Sequence, residues 1–333
     1  SRAMCLYWKP RAAAGLAPWI DLMREEDGYI PFMTRFLAWW EGVEPEALVR
    51  RSEQDESEDP ARQGQVVLDA DQAAAAEGKQ YGPTRLAMVQ RLWGEECHMP
   101  GGAIRSLELV KPMALNASKS ACDLSAGLGG GTRMIHGELK VWIDAFEPDP
   151  ELAEMGQDYS TRHGMARKVP IRTYDAAALD FAGKKFDGFL MREVLFRFPA
   201  IRAALDHIHA ALKPGGHIVL TDFALATDAK RDDPAAKRWL EKDPQAGTPF
   251  SLKQYKQAME NLGFDVRIFE DETEQYRKMV LAGWSGFIAG IDKSELTRGF
   301  VDSMLLEAEI WLSRMNAFDS GALKLLRIHA IKP

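Results

Sequence analysis

Between Ala121 and Met134 the chain reads Ala-Cys-Asp-Leu-Ser-Ala-Gly-Leu-Gly-Gly-Gly-Thr-Arg-Met: a short apolar run, an acid, a glycine-dense turn and a helix start. Gly127, Gly129, Gly130 and Gly131 carry no Cβ, so backbone can approach a ligand closely and adopt positive φ there. The helix that follows would aim its free N–H groups at whatever occupies the turn. A nucleoside cofactor suits such a cradle. No Gly-Lys-Ser/Thr ending is present, which argues against a phosphate-gripping P-loop. Ser125 stands where the dinucleotide fingerprint needs its first glycine. Asp123, inside the turn motif, favours a cationic or amine-bearing ligand. Taken alone, the motif also allows an ordinary strand-to-helix turn.

The elements that must position this turn come next in the chain. Lys140–Phe146 reads as a strand that ends at Glu147, about 20 residues past the glycines, where a ribose-binding acid is expected. Asp144, inside the strand, is the second choice. Pro148, Asp149 and Pro150 then open a helix towards Arg162. Ile171–Tyr174 reads as a third strand, and Asp175 at its tip is either an adenine contact or a helix cap. Phe186–Met191 makes a fourth strand, followed by Arg192-Glu-Val-Leu-Phe-Arg197. Pro199 suits a first helical turn, and the helix over 200–212 ends at Lys213-Pro-Gly-Gly216. His217–Phe223 is the fifth strand.

Asp123-x-Ser125-x-Gly127-x-Gly129 resembles the Asp/Glu-x-Gly-x-Gly-x-Gly signature of Rossmann-like S-adenosylmethionine (SAM) methyltransferases, with serine in place of the first glycine. Leu212-Lys-Pro-Gly-Gly216 before a strand is a second element of that family. The resemblance implies an α/β fold: a seven-stranded, mostly parallel Rossmann-like sheet with helices on both faces. It implies SAM as cofactor and S-adenosylhomocysteine as product. It places cofactor contacts on Asp123, Ser125, Gly127, Gly129, Glu147, Asp175, Met191 and Arg192.

Arg91–Gly102 fits neither helical nor strand periodicity and mixes Trp93, Glu95, Glu96 and His98 just ahead of the cofactor strand. Gly94-Glu-Glu-Cys-His98 resembles the Gly-Glu-Asp/His-Ile-His segment of small-molecule methyltransferases acting on glycine and sarcosine or tocopherol precursors. That resemblance sets the segment beside both cofactor and acceptor. At the rear, a helix over 251–262 and a sixth strand over 265–269 lead into the acidic run Glu270–Tyr276. Residues 272–318 are read as a helical insertion, or lid, before a closing antiparallel strand at 323–330. Loops at strand carboxyl ends build the crevice in such sheets, which makes Tyr276, Arg277 and Trp284 candidate acceptor contacts. Each of these aromatic residues could equally be packing.

The chain divides into an N-terminal helical region (1–80) and the cofactor domain (81–333). In the first, Pro31 begins a helix with Met33, Phe36, Leu37 and Trp40 at helical spacing, 51–62 is hydrophilic, and 63–78 forms a short helix. These early helices offer a homodimer contact. A formal net charge of −7 over 333 residues argues against a broad nucleic-acid surface. Three scattered cysteines, Cys5, Cys97 and Cys122, suit neither a disulfide framework nor zinc, and no metal site is expected. No apolar run reaches membrane-spanning length and no signal peptide is read, so a cytoplasmic protein is expected.

The sequence therefore points to methyl transfer by in-line displacement onto the nitrogen or sulfur of a small polar or zwitterionic metabolite. Catalytic candidates are His98, Glu95, Glu193 and Tyr276. Substrate candidates are Tyr81, Trp93, Glu96, Arg192, Arg277 and Trp284. Alternatives are C- or O-methylation of a lipid or hydrophobic natural product, a SAM-binding regulatory protein without catalysis, and an NAD-dependent oxidoreductase.

Overall fold

The computed structural model describes residues 80–333 apart from 244, 293, 294 and 296. The helices read within 1–79, and the dimer contact assigned to them, lie outside the described residues. Two helices come first, α1 (Pro83–Trp93) and α2 (Gly102–Val110). Then follow β1 (Ser120–Asp123), α3 (Gly130–Leu139), β2 (Trp142–Glu147), α4 (Pro150–Arg162) and β3 (Ile171–Thr173). The second half holds β4 (Phe186–Arg192), α5 (Ile201–Ala211), β5 (Leu212–Leu225), α6 (Pro234–Lys242) and α7 (Leu252–Asn261). β6 (Asp265–Asp271), α8 (Thr273–Ala289), α9 (Arg298–Asp319) and β7 (Leu323–Ile331) complete the domain.

The seven strands form one sheet in the order β3-β2-β1-β4-β5-β7-β6. β1 to β5 pair in parallel, and β7 inserts antiparallel between β5 and β6. This is the Rossmann-like α/β sheet expected from the sequence. Strand order reverses between β1 and β4, and a crevice opens beyond the strand ends at such a switch point.

Both faces of the sheet are covered, and the strands show it by parity. On β4, Phe189 and Met191 face a layer holding Leu205 and Ile208 of α5 and Met259 of α7. Leu190 faces the opposite layer with Leu109, Met113 and Ile135. β5 repeats this, with Ile218 and Leu220 on one side and Val219 on the other. Strands buried on both sides read as continuous apolar runs. Met191, expected at the cofactor, is therefore corrected to a core residue, because its parity matches Phe189.

Helix starts follow their local chemistry. Asp149 caps α4 by accepting from the N–H groups of Glu151 and Leu152, with Pro150 at the first helical position. Ser251 and Gln254 form a reciprocal capping box at α7. α1 runs through Trp93, so only 94–101 is a true loop in the segment expected to lack periodicity. The acidic run 270–276 is shared between the end of β6 and the first turn of α8. α8 and α9 occupy the insertion read before the last strand. Among the described residues, no helix is long and apolar enough to cross a membrane.

Candidate functional site

The chain leaves β1 at Asp123 and turns through Ser125–Gly129 into α3. Gly127 sits at φ +52°, and a Cβ there would run into the His98 imidazole. Gly130 donates its N–H to the Glu96 carbonyl at 3.0 Å, and a Cβ there would collide with that oxygen. Both positions need glycine because the 94–101 loop lies directly on the turn.

Asp123 organises the turn from below. One carboxylate oxygen accepts from the Ser125 N–H at 3.0 Å and the Ser125 hydroxyl at 3.1 Å. The other accepts from the Thr132 hydroxyl at 2.6 Å. Burial raises the Asp123 carboxyl above its ordinary range, against the pull of those hydrogen bonds. The Ser125 hydroxyl also accepts from the Arg192 N–H at 2.8 Å, joining the turn to the end of β4. That bridge explains serine where the family signature has glycine.

Glu147, at the tip of β2, is 1% exposed. Its two oxygens accept from the Gly127 N–H at 2.8 Å and the Asp149 N–H at 3.1 Å. Burial lifts its carboxyl to about 7, opposed by the charge of Arg197 and by the two amides. The residues fit an adenosyl group in kind, a buried acid held against a glycine turn, although Glu147 lines neither cavity and His98 fills the space beside Gly127.

Two cavities meet at His98. The smaller, of about 280 Å³, is lined by Asp123, Ser125, Gly131 and Thr132 from the turn, by Arg192, and by Glu96–Met99. The larger, of about 490 Å³, is lined by Tyr81 and Arg85 of the α1 region, Glu193 and Arg197 after β4, and residues of α8 and α9. His98 and Met99 line both. Burial, then the guanidinium groups of Arg197, Arg192 and Arg314, push the His98 imidazole down to about 3. It stays neutral throughout the physiological range.

Glu193 lines the larger cavity. It adopts φ +45°, a left-handed conformation uncommon for a residue with a side chain. Its carboxylate accepts from the Thr221 hydroxyl at 2.7 Å and from the Tyr276 hydroxyl at 3.4 Å. Tyr276 is buried, and its hydroxyl is held well above its usual titration range by burial and then by the Glu193 charge. Burial, followed by the Glu307 carboxylate, likewise raises Tyr81, so both phenols remain donors.

The structure thus brings Asp123, Ser125, Gly127, Glu147, Arg192, His98, Glu193, Tyr276 and Tyr81 around the two cavities or the turn. Gly129, at φ +84°, shapes the turn from within and packs against Arg133 and Ile171. Other residues are placed elsewhere. Glu95 is exposed and lines neither cavity. Asp175 is exposed and accepts from the Ala177 N–H at 2.8 Å in a turn, with no helix there for it to cap. Asp144 pairs with Lys184 at 2.6 Å. Trp93 packs on Trp311 with ring centroids 5.0 Å apart, and Trp284 packs on Phe287 at 5.9 Å. Arg277 pairs with Glu274 at 3.0 Å and Asp319 at 2.5 Å. Trp93, Trp284 and Arg277, read as acceptor contacts, thus have packing or ion-pair partners, while Asp144 and Asp175, read as cofactor contacts, and Glu95, read as catalytic, line neither cavity.

Glu96 and Arg192 line the smaller cavity, but their charges are engaged in structure. Glu96 pairs with Arg133 at 2.6 Å and with His163 at 2.7 Å. Arg192 donates to the Pro100 carbonyl at 2.7 Å, the Gly102 carbonyl at 3.1 Å and the Ser106 hydroxyl at 2.8 Å. Both hold the 94–106 segment down on the turn.

Sequence reading missed the charged lining of the larger cavity. Arg85 pairs with Glu307 at 2.5 Å, and Arg314 with Asp243 at 2.5 Å. Arg197 is the third guanidinium. Its own signal was a basic residue four positions after Glu193, past a strand tip. Among the described residues, no group of three or more His, Cys, Asp and Glu side chains could hold a metal ion.

Comparison with known proteins adds to this geometry. A family model described as a methyltransferase domain matches residues 98–267. Phosphoethanolamine N-methyltransferase 3 of Arabidopsis thaliana is 21% identical over 201 residues, covering 60% of this chain and 40% of that protein. The chain thus spans well under two thirds of that curated relative. Phosphoethanolamine N-methyltransferase 2 of Haemonchus contortus, solved in complex with S-adenosyl-L-methionine, superposes with a TM-score of 0.68 at 19% identity. That match covers 81% of this chain and 61% of the other. The [4+2]-cyclase SpnF matches with a TM-score of 0.60 at 16% identity, over 79% of this chain and 97% of its own. At such identities the likeness is one of fold, and one fold can host different reactions.

Proposed function

The chain belongs to the methyltransferase-domain family, and from that premise we propose that it transfers a methyl group from SAM to the nitrogen of a small polar metabolite. The observation that carries this reading is the Glu193 carboxylate. It is oriented by Thr221 and Tyr276 in a cavity that meets the glycine turn at His98. The curated relatives named as phosphoethanolamine N-methyltransferases support an amine acceptor.

Asp123, Ser125, Gly127 and Gly129 would shape the cofactor cradle, and Glu147 would accept from ribose hydroxyls. SAM, when bound, supplies a sulfonium methyl that an amine lone pair displaces, leaving S-adenosylhomocysteine and a methylammonium product. Glu193 can accept N–H hydrogen bonds from the amine, which turns its lone pair towards the cofactor side. As positive charge moves onto nitrogen, the nearby carboxylate stabilises it. Tyr276 and Thr221 fix that carboxylate, so it need not reorganise during the reaction. His98 stays neutral and adds no second positive charge beside a sulfonium. With its basicity lowered to about 3, the imidazole is a weak proton acceptor. A free amine brings its own lone pair and needs no base at the imidazole, whereas a hydroxyl acceptor would have to give its proton to a carboxylate such as Glu193. The charged lining of the larger cavity likewise disfavours a lipid acceptor.

The test is methyl transfer from labelled SAM to a panel of small amines, thiols and alcohols. We expect product on an amine. Tight SAM binding with transfer to alcohols or lipids alone would refute nitrogen methylation, and binding without any transfer would favour a regulatory role.

A further inference from the structure

The larger cavity holds three guanidinium groups, and they are unevenly paired. Arg85 donates twice to Glu307 and once to the Gln80 carbonyl. Arg314 donates twice to Asp243. Those two positive charges are matched one to one by buried carboxylates. Arg197 forms neither a hydrogen bond through its guanidinium nor an ion pair among the described residues; its group lies over the Phe196 ring at 5.5 Å. Its Nε is buried with no acceptor.

A buried guanidinium nitrogen without an acceptor is costly in a folded protein, and such exceptions call for an explanation. The position of Arg197 supplies one. It ends the short turn Leu195–Arg197, four residues beyond Glu193, and lines the same cavity. Its backbone is fixed: the Gly247 N–H donates to the Phe196 carbonyl at 3.1 Å, and a Cβ at Gly247 would press on the Phe196 and Arg197 carbonyls. With Arg85 and Arg314 neutralised, the remaining pair is Glu193, negative, and Arg197, positive. The Tyr81 phenol lines the same cavity as a further donor.

We propose that Arg197 binds the anionic end of the acceptor, so that the substrate is an amine carrying a phosphate or carboxylate and Arg197 sets the preference for it. This rests on the amine-methylation reading above: the amine lies at Glu193 and the anion at Arg197. A planar guanidinium with free N–H donors matches either anion in two-pronged fashion, which lysine cannot reproduce.

The experiment has a binding arm and a turnover arm. Protein saturated with S-adenosylhomocysteine is titrated with inorganic phosphate and, separately, with acetate, for wild type, Arg197→Lys and Arg197→Gln. Thermal unfolding checks that each variant folds. We expect Arg197→Gln to weaken binding of the preferred anion about tenfold or more, the size of one charge-assisted hydrogen bond, with Arg197→Lys in between. The anion bound more tightly distinguishes phosphate from carboxylate. In turnover, wild type should prefer O-phosphoethanolamine or β-alanine over ethanolamine. In Arg197→Gln that preference should collapse, through KM more than kcat. Unchanged anion affinity and unchanged preference in Arg197→Gln would overturn the proposal. So would a loss confined to S-adenosylhomocysteine affinity, which would assign Arg197 to the cofactor side. Anion binding that depends on Arg197 without transfer to any amine would uphold the anion site and refute amine methylation.

Discussion

Glu147 should make cofactor binding depend on pH. Its carboxyl is lifted to about 7 by burial, yet both oxygens already accept backbone N–H groups. Ribose hydroxyls can add donors only to the carboxylate form, because a protonated acid would aim its own hydrogen among them. Cofactor binding and loss of that proton are therefore linked. A group titrating near 7 is roughly nine-tenths ionised at about pH 8 and one-tenth ionised at about pH 6. SAM affinity should fall about tenfold over that interval, or about 1.4 kcal/mol. Near pH 7, binding should release about half a proton from this group. Isothermal titration in buffers of different ionisation enthalpy measures both quantities. The SAM α-amino group also titrates, at about 7.7–8.0 by its ordinary value, so Glu147→Gln serves as the reference that cancels it. We expect the variant to bind weakly and to lose the additional slope. A wild-type affinity as flat with pH as that of Glu147→Gln would refute the placement of the ribose on this acid.

Three further outcomes follow from named contacts. Glu193→Gln should leave SAM affinity intact and lower kcat/KM about 10- to 100-fold, the range for a hydrogen bond to a charged group; normal steady-state kinetics would remove Glu193 from the reaction. Ser125→Gly restores the family glycine but leaves the buried Arg192 N–H without its 2.8 Å acceptor. It should cost about 1–3 kcal/mol, read as a lowered Tm, and an unchanged Tm would contradict the bridge. Asp222 is buried with one oxygen unpartnered, and burial lifts its carboxyl to about 8. Its folded value lies above the ordinary one, so its contribution is fully present at acid pH and is lost as pH rises towards 8. Asp222→Asn cannot ionise, and its Tm should decline less than wild type across that window; parallel Tm curves would refute the assignment.

Much of the glycine turn and its surroundings was legible because it is local. Asp123, the glycines and Glu147 are fixed by one strand-turn-helix unit and the next strand, and spacing along the chain carries that information. Met191 shows where care with parity was needed: its alternation with Leu190 already assigned it to the Phe189 face. Asp175 was legible only as two options, and the structure shows a local turn hydrogen bond to the Ala177 N–H with no helix there to cap. The larger cavity was far less readable. Arg85–Glu307 and Arg314–Asp243 join residues distant in sequence, so no spacing rule reports them. Trp93 and Trp284 looked like pocket walls by composition, but helix packing between α1, α8 and α9 absorbs their rings. The ion pair of Glu96 with Arg133 was not legible, because Arg133 lies on a helix that only the fold brings alongside.

A crystal structure of the protein with S-adenosylhomocysteine measures directly where the cofactor lies relative to Glu193. We predict ribose hydroxyls on Glu147 and the thioether sulfur beside His98, opening on the cavity that holds Glu193. A nucleoside bound away from Glu147, or a sulfur turned from that cavity, would contradict it.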